Sequence, residues 1–147
     1  MKLSHTATLA TPIDRVWAVV TDIPAAAKCV PGVTSVTANG TNAYKGTLHV
    51  QIGPVRLALD GDITMTSRDD ARHTAALRAD AKDTRLGGTV RATVDLTLRE
   101  IAGGCELAIT SDVQIGGRIG EFGQPVIQRK SDQLLGQFAQ CLARSAS

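Results

Sequence analysis

Between Val33 and Ile115 apolar and polar residues alternate, and turn-forming clusters cut the alternation at Asn39-Gly40, Gly53-Pro54, Asp69-Asp70, the Asp83 to Gly88 stretch and Gly103-Gly104. A period of two is the mark of strands with one covered face. Connections this short join antiparallel neighbours, because a parallel return needs a crossover of about a dozen residues or more. The pattern predicts six strands, over 33–38, 42–52, 55–68, 71–81, 89–101 and 105–115, ended by Gly116-Gly117. A further alternating stretch, 2–10, adds a strand at the N-terminus, for an α+β chain dominated by a seven-stranded antiparallel sheet. At 147 residues with no linker or internal repeat, one domain over 1–147 is expected.

Helical spacing occurs in two places. Ile13, Val16, Trp17 and Val20 recur at i, i+3, i+4 and i+7. Thr11 is expected to cap that helix, with Pro12 at its first position and Asp14 favouring the positive end of its dipole. A second short helix is expected between Pro24 and Cys29, stopping at Pro31-Gly32. The long helix is expected at the C-terminus, roughly 118–144, where Ile119, Phe122, Val126, Ile127, Leu134, Phe138, Cys141 and Leu142 carry its apolar positions. Pro125 predicts a kink or a delayed start there, since inside a helix it removes one hydrogen bond and clashes one turn back.

The strands sort into faces. Leu48, Val50 and Ile52, Leu57, Leu59 and Ile63, Leu77 and Ala79, Val94 and Leu96, and Leu107 and Ile109 share one parity. Lys45, Arg56, Asp60, Asp62, Arg78, Asp80, Arg91 and Asp112 share the other and face water. Every acidic residue on an assigned strand falls on that wet parity. The C-terminal helix is the large cover available for the apolar face, and a long curved sheet under one helix encloses more space than small aliphatic side chains fill. The expectation is a pocket for an apolar molecule, lined by Tyr44, Leu59, Leu77, Val94, Ile109, Ser111, Phe122 and Val126. The alternative is a sheet flattened onto the helix with a filled core.

Composition excludes several classes. The net charge of +2 is spread without runs, and the four aromatic residues Trp17, Tyr44, Phe122 and Phe138 are dispersed, which is not a nucleic-acid footprint. Cys29, Cys105 and Cys141 lack the spacing of a zinc site or a disulfide framework and read as small core residues of a cytoplasmic protein. The N-terminus alternates, unlike a signal peptide, and no apolar run reaches the roughly 20 residues of a membrane span.

Candidate chemistry is sparse. His5 and His73 fall on the inward parity and could offer a ligand a polar contact, or serve as rim or core histidines; His49 faces water. Ser111 faces inward without a nucleophile elbow around it, so no catalytic residue is assigned. No pair of histidines or cysteines has a metal-ligand spacing, so no metal is expected. Gly117, Gly120 and Gly123 have the wrong spacing for a dinucleotide site. With Gly116 and Pro125 they read as a deformable gate at the start of the helix, or as close packing of helix on sheet.

Pro12-Ile13-Asp14-Arg15-Val16-Trp17 with Asp22, Cys29-Val30-Pro31-Gly32, Ile52-Gly53-Pro54-Val55 and Gly116-Gly117-Arg118-Ile119-Gly120-Glu121-Phe122-Gly123 together resemble the CoxG family of carbon monoxide dehydrogenase. That family is a branch of the START-like, or helix-grip, superfamily. The resemblance implies a curved seven-stranded sheet with two short helices after the first strand and a long C-terminal helix over its concave face. It also implies a non-enzymatic accessory protein of a molybdenum-containing oxidoreductase that handles a bound quinone or lipid, with no required cofactor. Many members continue into a membrane-binding tail; a chain ending at Ser147 is expected to make at most transient contact with the inner membrane face. Two other classes stay open: a small cyclase or hydratase, which would need His5 or His73 in the pocket beside a carboxylate, and an interaction subunit with a collapsed core.

Overall fold

A computed structural model describes residues 1–83 and 85–146. The sheet is built from β1 (Lys2–Leu9), β2 (Val33–Ala38), β3 (Ala43–Ile52), β4 (Val55–Asp69), β5 (Thr74–Asp83), β6 (Gly88–Ile101) and β7 (Gly104–Gly117). Its order is β1-β7-β6-β5-β4-β3-β2, antiparallel throughout, so β2 to β7 form a meander and β1 adds to the free edge of β7. α1 (Ile13–Val20) and α2 (Ile23–Ala27) lie between β1 and β2. A 3-10 segment (Arg118–Phe122) leads from β7 into α3 (Gln124–Ala146).

Local chemistry accounts for most boundaries. Pro125 occupies the second position of α3, where its missing amide hydrogen breaks no helical bond, and Gly123, at φ +84°, makes the corner before it. The helix therefore starts late instead of kinking. β5 begins three residues after the expected point. Asp69 accepts hydrogen bonds from the amides of Ala71 and Arg72, and His73 adopts φ +54°, so this stretch closes the hairpin and cannot extend it.

Two expectations need correction. Thr11 does not cap α1: that place is taken by Pro12, whose carbonyl accepts from the amides of Arg15 and Val16, while the buried Thr11 hydroxyl donates to the Ala143 carbonyl at 3.4 Å. Proline serves because its extended conformation, φ −57° and ψ 141°, already points the chain into the helix. The cysteines are not all free core residues. Cys29 and Cys141, 112 residues apart in sequence, form a disulfide that ties the end of α2 to α3; Cys105 is a free, buried thiol. Cysteine usage therefore does not point to a reducing compartment.

The main core lies at one end of the concave face. Leu9, Ile13, Val16, Trp17, Val20, Leu96, Leu98, Leu107, Ile109, Phe138 and Leu142 pack there as one cluster. Each fully enclosed aliphatic side chain contributes about 1.5–3 kcal/mol, and Val16 and Leu142 are wholly enclosed. Trp17 is anchored as well as buried. Its Nε1–H donates to Asp70 Oδ1 at 2.9 Å, and its ring stands edge-on to His73 with centroids 5.3 Å apart. A bulge between Met65 and Ser67 sets Arg68 opposite Ala75, and its Nε lies 2.7 Å from the same Asp70 oxygen. Those two hydrogen bonds, Arg68 first, hold the Asp70 carboxyl below its ordinary range.

Candidate functional site

Cross-strand register lays out the concave face as rows. One row runs Tyr44, Ile63, Ala79, Ala92, Val113, and the next Gly46, Gly61, Ala81, Val90, Ile115. Their central members are alanine and glycine, so little rises from the middle of the sheet. The two glycines are required by close approach: a Cβ on Gly61 would lie 2.5 Å from the Asp80 carbonyl oxygen, and one on Gly46 would lie 2.6 Å from that of Ser35. On either side of these rows burial increases. The main core closes one end, and Leu57 and Ile119, both buried and outside that core, close the other.

Between the two packed ends the aliphatic residues are only half-buried. Leu48, Val50, Leu59, Ile63, Leu77 and Ala79 all retain solvent contact. α3 shows the same division along its length: Phe138, Ala139, Leu142 and Ala146 are buried, whereas Val126, Ile127, Leu134 and Leu135 are half-buried. Its close packing is with α1 and β1. A band of apolar surface thus runs across the concave face, floored by small residues and incompletely covered.

The expected lining residues divide accordingly. Tyr44, Leu59 and Leu77 lie on the half-buried band, and Ser111 joins it in a row with Leu77, Val94 and Leu3. Val94 packs against the edge of the main core, and Ile109 belongs inside it. Phe122, in the 3-10 segment, and Val126, in α3, are half-buried. Of the expected gate, Gly116 and Gly117 are the last residues of β7, paired with Thr89 and Gly88; Gly120 lies in the 3-10 segment, and Gly123 and Pro125 form the corner into α3.

The histidines stand apart. His5, on edge strand β1, faces α3 with Nδ1 3.9 Å from Asp132 Oδ1, too long for a hydrogen bond. His73 closes the β4–β5 hairpin beside Trp17, with Nε2 3.6 Å from Asp14 Oδ1, and Asp14 is almost fully exposed. Neither pair sets a base among the half-buried aliphatics. No group of three or more His, Cys, Asp or Glu among the described residues could hold a metal ion. No helix among them is long and apolar enough to cross a membrane.

One polar residue breaks the expected division of faces. Asp83 is the last residue of β5, paired with Leu59, and so faces the concave side with Leu59 and Ala81. It is 3 % exposed. The run from Asp83 to Gly88 reads as turn chemistry, which hid the fact that the strand extends to its first residue.

The convex face is the wet one, as expected. A depression of about 610 Å³ there is lined by Asp60, Asp62, Asp80, Lys82, Arg91 and Gln114, among others. Its charges are largely spent on each other: Arg91 and Arg78 reach Asp80 at 2.8 and 3.4 Å, and Thr47 donates to Asp60 at 2.7 Å. We regard it as a solvated face and place the candidate site on the concave side, where apolar surface is left uncovered.

A curved antiparallel sheet gripping a C-terminal helix, with its concave face incompletely filled, defines a START-like protein. A START superfamily protein from Mycobacterium smegmatis is similar over 99% of this chain and 96% of that one, at 11% identity and a TM-score of 0.69. The Zhui aromatase/cyclase from Streptomyces sp. R1128 is similar at 18% identity and a TM-score of 0.69, over 99% and 93% of the two chains. A conserved protein from Geobacillus kaustophilus is similar at 22% identity and a TM-score of 0.89, over 99% and 95%. These likenesses speak to fold. No match was found among curated proteins. Residues 6–147 match the model of the CoxG family of carbon monoxide dehydrogenase, and the chain belongs to that family.

Proposed function

We propose that this protein is a carrier that holds an apolar small molecule, quinone or lipid-like, in the trough under the N-terminal half of α3. It would serve as an accessory to a molybdenum-containing carbon monoxide dehydrogenase or a related oxidoreductase. The observation that carries this reading is the half-buried aliphatic band between two packed ends. Apolar surface of that extent costs free energy while it faces water, and a hydrophobic ligand would remove the cost. The family's name supports the choice of partner. Tyr44 and Ser111 would orient a polar head, and the segment from Gly116 to Pro125 would move to admit the ligand. The carrier needs no resident cofactor, and loading from a membrane would proceed through transient contact.

The similar aromatase/cyclase raises an enzymatic alternative, for which the His5 and Asp132 pair is the best support. Their separation and the exposure of Asp132 make them a surface pair that holds α3 near β1. Organic extraction and native mass spectrometry of the purified protein test the carrier reading. We expect a bound apolar molecule, or uptake of added decylubiquinone at one per chain. A protein that is empty as purified and takes up neither decylubiquinone nor a long-chain lipid would overturn it.

A further inference from the structure

The Asp83 carboxylate is the one buried side-chain group with an unpartnered polar atom among the described residues: Oδ2 has no hydrogen-bond partner. Oδ1 accepts from the Arg85 amide at 2.9 Å, the local bond with which an aspartate caps a turn. That bond needs one oxygen, and asparagine or serine would supply it as well. The second oxygen is therefore not explained by the turn. Leaving a buried carboxylate oxygen unpaired is unfavourable, and such groups in folded proteins are normally satisfied.

The surroundings show where a partner could come from. Asp83 faces the concave side beside Leu59, at the end of the trough closed by Leu57 and Ile119. Across the sheet its neighbour is Gly88, which has no side chain to offer; a Cβ there would meet Ile119 Cγ1 at 2.6 Å. Lys82, next in the chain, belongs to the opposite face. A carboxylate in an apolar pocket end, open toward a half-buried aliphatic band, is an acceptor waiting for a donor.

We propose that Asp83 Oδ2 accepts a hydrogen bond from a hydroxyl on the head of the bound molecule, so that the trough selects phenol-like or hydroquinone-like heads over the matching ether or quinone carbonyl. The proposal rests on the carrier reading and adds a chemical class to it: a long apolar body with a hydroxyl-bearing ring. The physical reason for selectivity is that a ligand without a donor would seal the carboxylate away from water unpaired.

The test compares 4-octylphenol with 4-octylanisole, two probes that differ by one methyl on the oxygen, by equilibrium dialysis against the full chain. The expected result is binding of the phenol at least about tenfold tighter than the ether, a charge-assisted hydrogen bond being sufficient for that ratio. In Asp83→Asn, which keeps the acceptor for the Arg85 amide, the preference should shrink to below about threefold with the ether's affinity unchanged. The carboxyl carbon resonance of Asp83 should shift with the phenol and not with the ether, which decides the matter in the wild-type protein should the variant fail to fold. Equal affinity for the two probes, a preference that survives in Asp83→Asn, or a carboxyl resonance indifferent to the phenol would each overturn the proposal while leaving the carrier reading intact. If neither probe binds and decylubiquinone does not either, both fall.

Discussion

Ala79 stands in the middle of the trough floor, between Ile63 and Ala92, and is half-buried. Replacing it with phenylalanine asks directly whether the space above it is open. A phenylalanine buries about 150–250 Å² when enclosed; with half of that covered by the trough walls, about 80–100 Å² leaves water, worth about 2–2.5 kcal/mol. If side chains already filled the volume, the same ring would be overpacked and would cost about 1–3 kcal/mol. The two cases differ in sign. For a chain of this size about 1 kcal/mol moves the melting temperature by about 2–4 °C. Thermal unfolding of the ligand-free protein, followed by circular dichroism, should show Ala79→Phe melting several degrees higher than the wild type. Equilibrium dialysis with decylubiquinone should show affinity lowered by an order of magnitude or more, because the ring occupies the ligand's place. A variant that melts lower and binds decylubiquinone as well as the wild type would refute the idea of a vacant trough in the middle of the sheet.

Two further outcomes follow from the packed end. Replacing Cys29 and Cys141 with alanine opens a disulfide-closed loop spanning 112 residues and should lower stability in denaturant by about 2–5 kcal/mol, less any strain relieved; an unchanged midpoint would mean that α2 and α3 hold together without it. Asp70 has a folded-state pKa below the ordinary carboxylate value, so its stabilising contribution is complete above that ordinary value and is lost as pH falls through the lowered one. Asp70→Asn should therefore flatten the loss of stability below about pH 4, measured by urea titration at several pH values, and a profile parallel to wild type would sink the assignment.

The strands were legible because alternation and turn residues report the same thing at each hairpin, and the register that followed put small residues at the centre of the sheet. What could not be read had two physical origins. The first is distance: nothing local to Cys29 or Cys141 announces a partner on a helix at the other end of the chain, and only the fold brings their Cα atoms to 5.3 Å. The second is ambiguity of type. Asp83 and His73 are residues that favour turns, and both stand where a strand meets one. Composition alone placed each on the wrong side of that boundary, extending β5 too far at its start and stopping it short of Asp83. The same error moved a buried carboxylate out of the concave face, where it bears on the choice of ligand.

The pairing of β1 with β7 has a consequence for the order in which the chain assembles. Strands β2 to β7 meet their neighbours through short connections, so each hairpin closes a small loop, and the meander is complete when β7 is laid down. β1 leaves the ribosome first, yet its partners, from Leu9 opposite Cys105 to Lys2 opposite Asp112, lie roughly a hundred residues downstream. Until they arrive, the N-terminal strand and the Trp17 face of α1 have nothing to pack on. The apolar residues that will form the densest part of the molecule stay unsheltered through nearly all of synthesis, and the last elements to be made, β7 and α3, give the first strand its place.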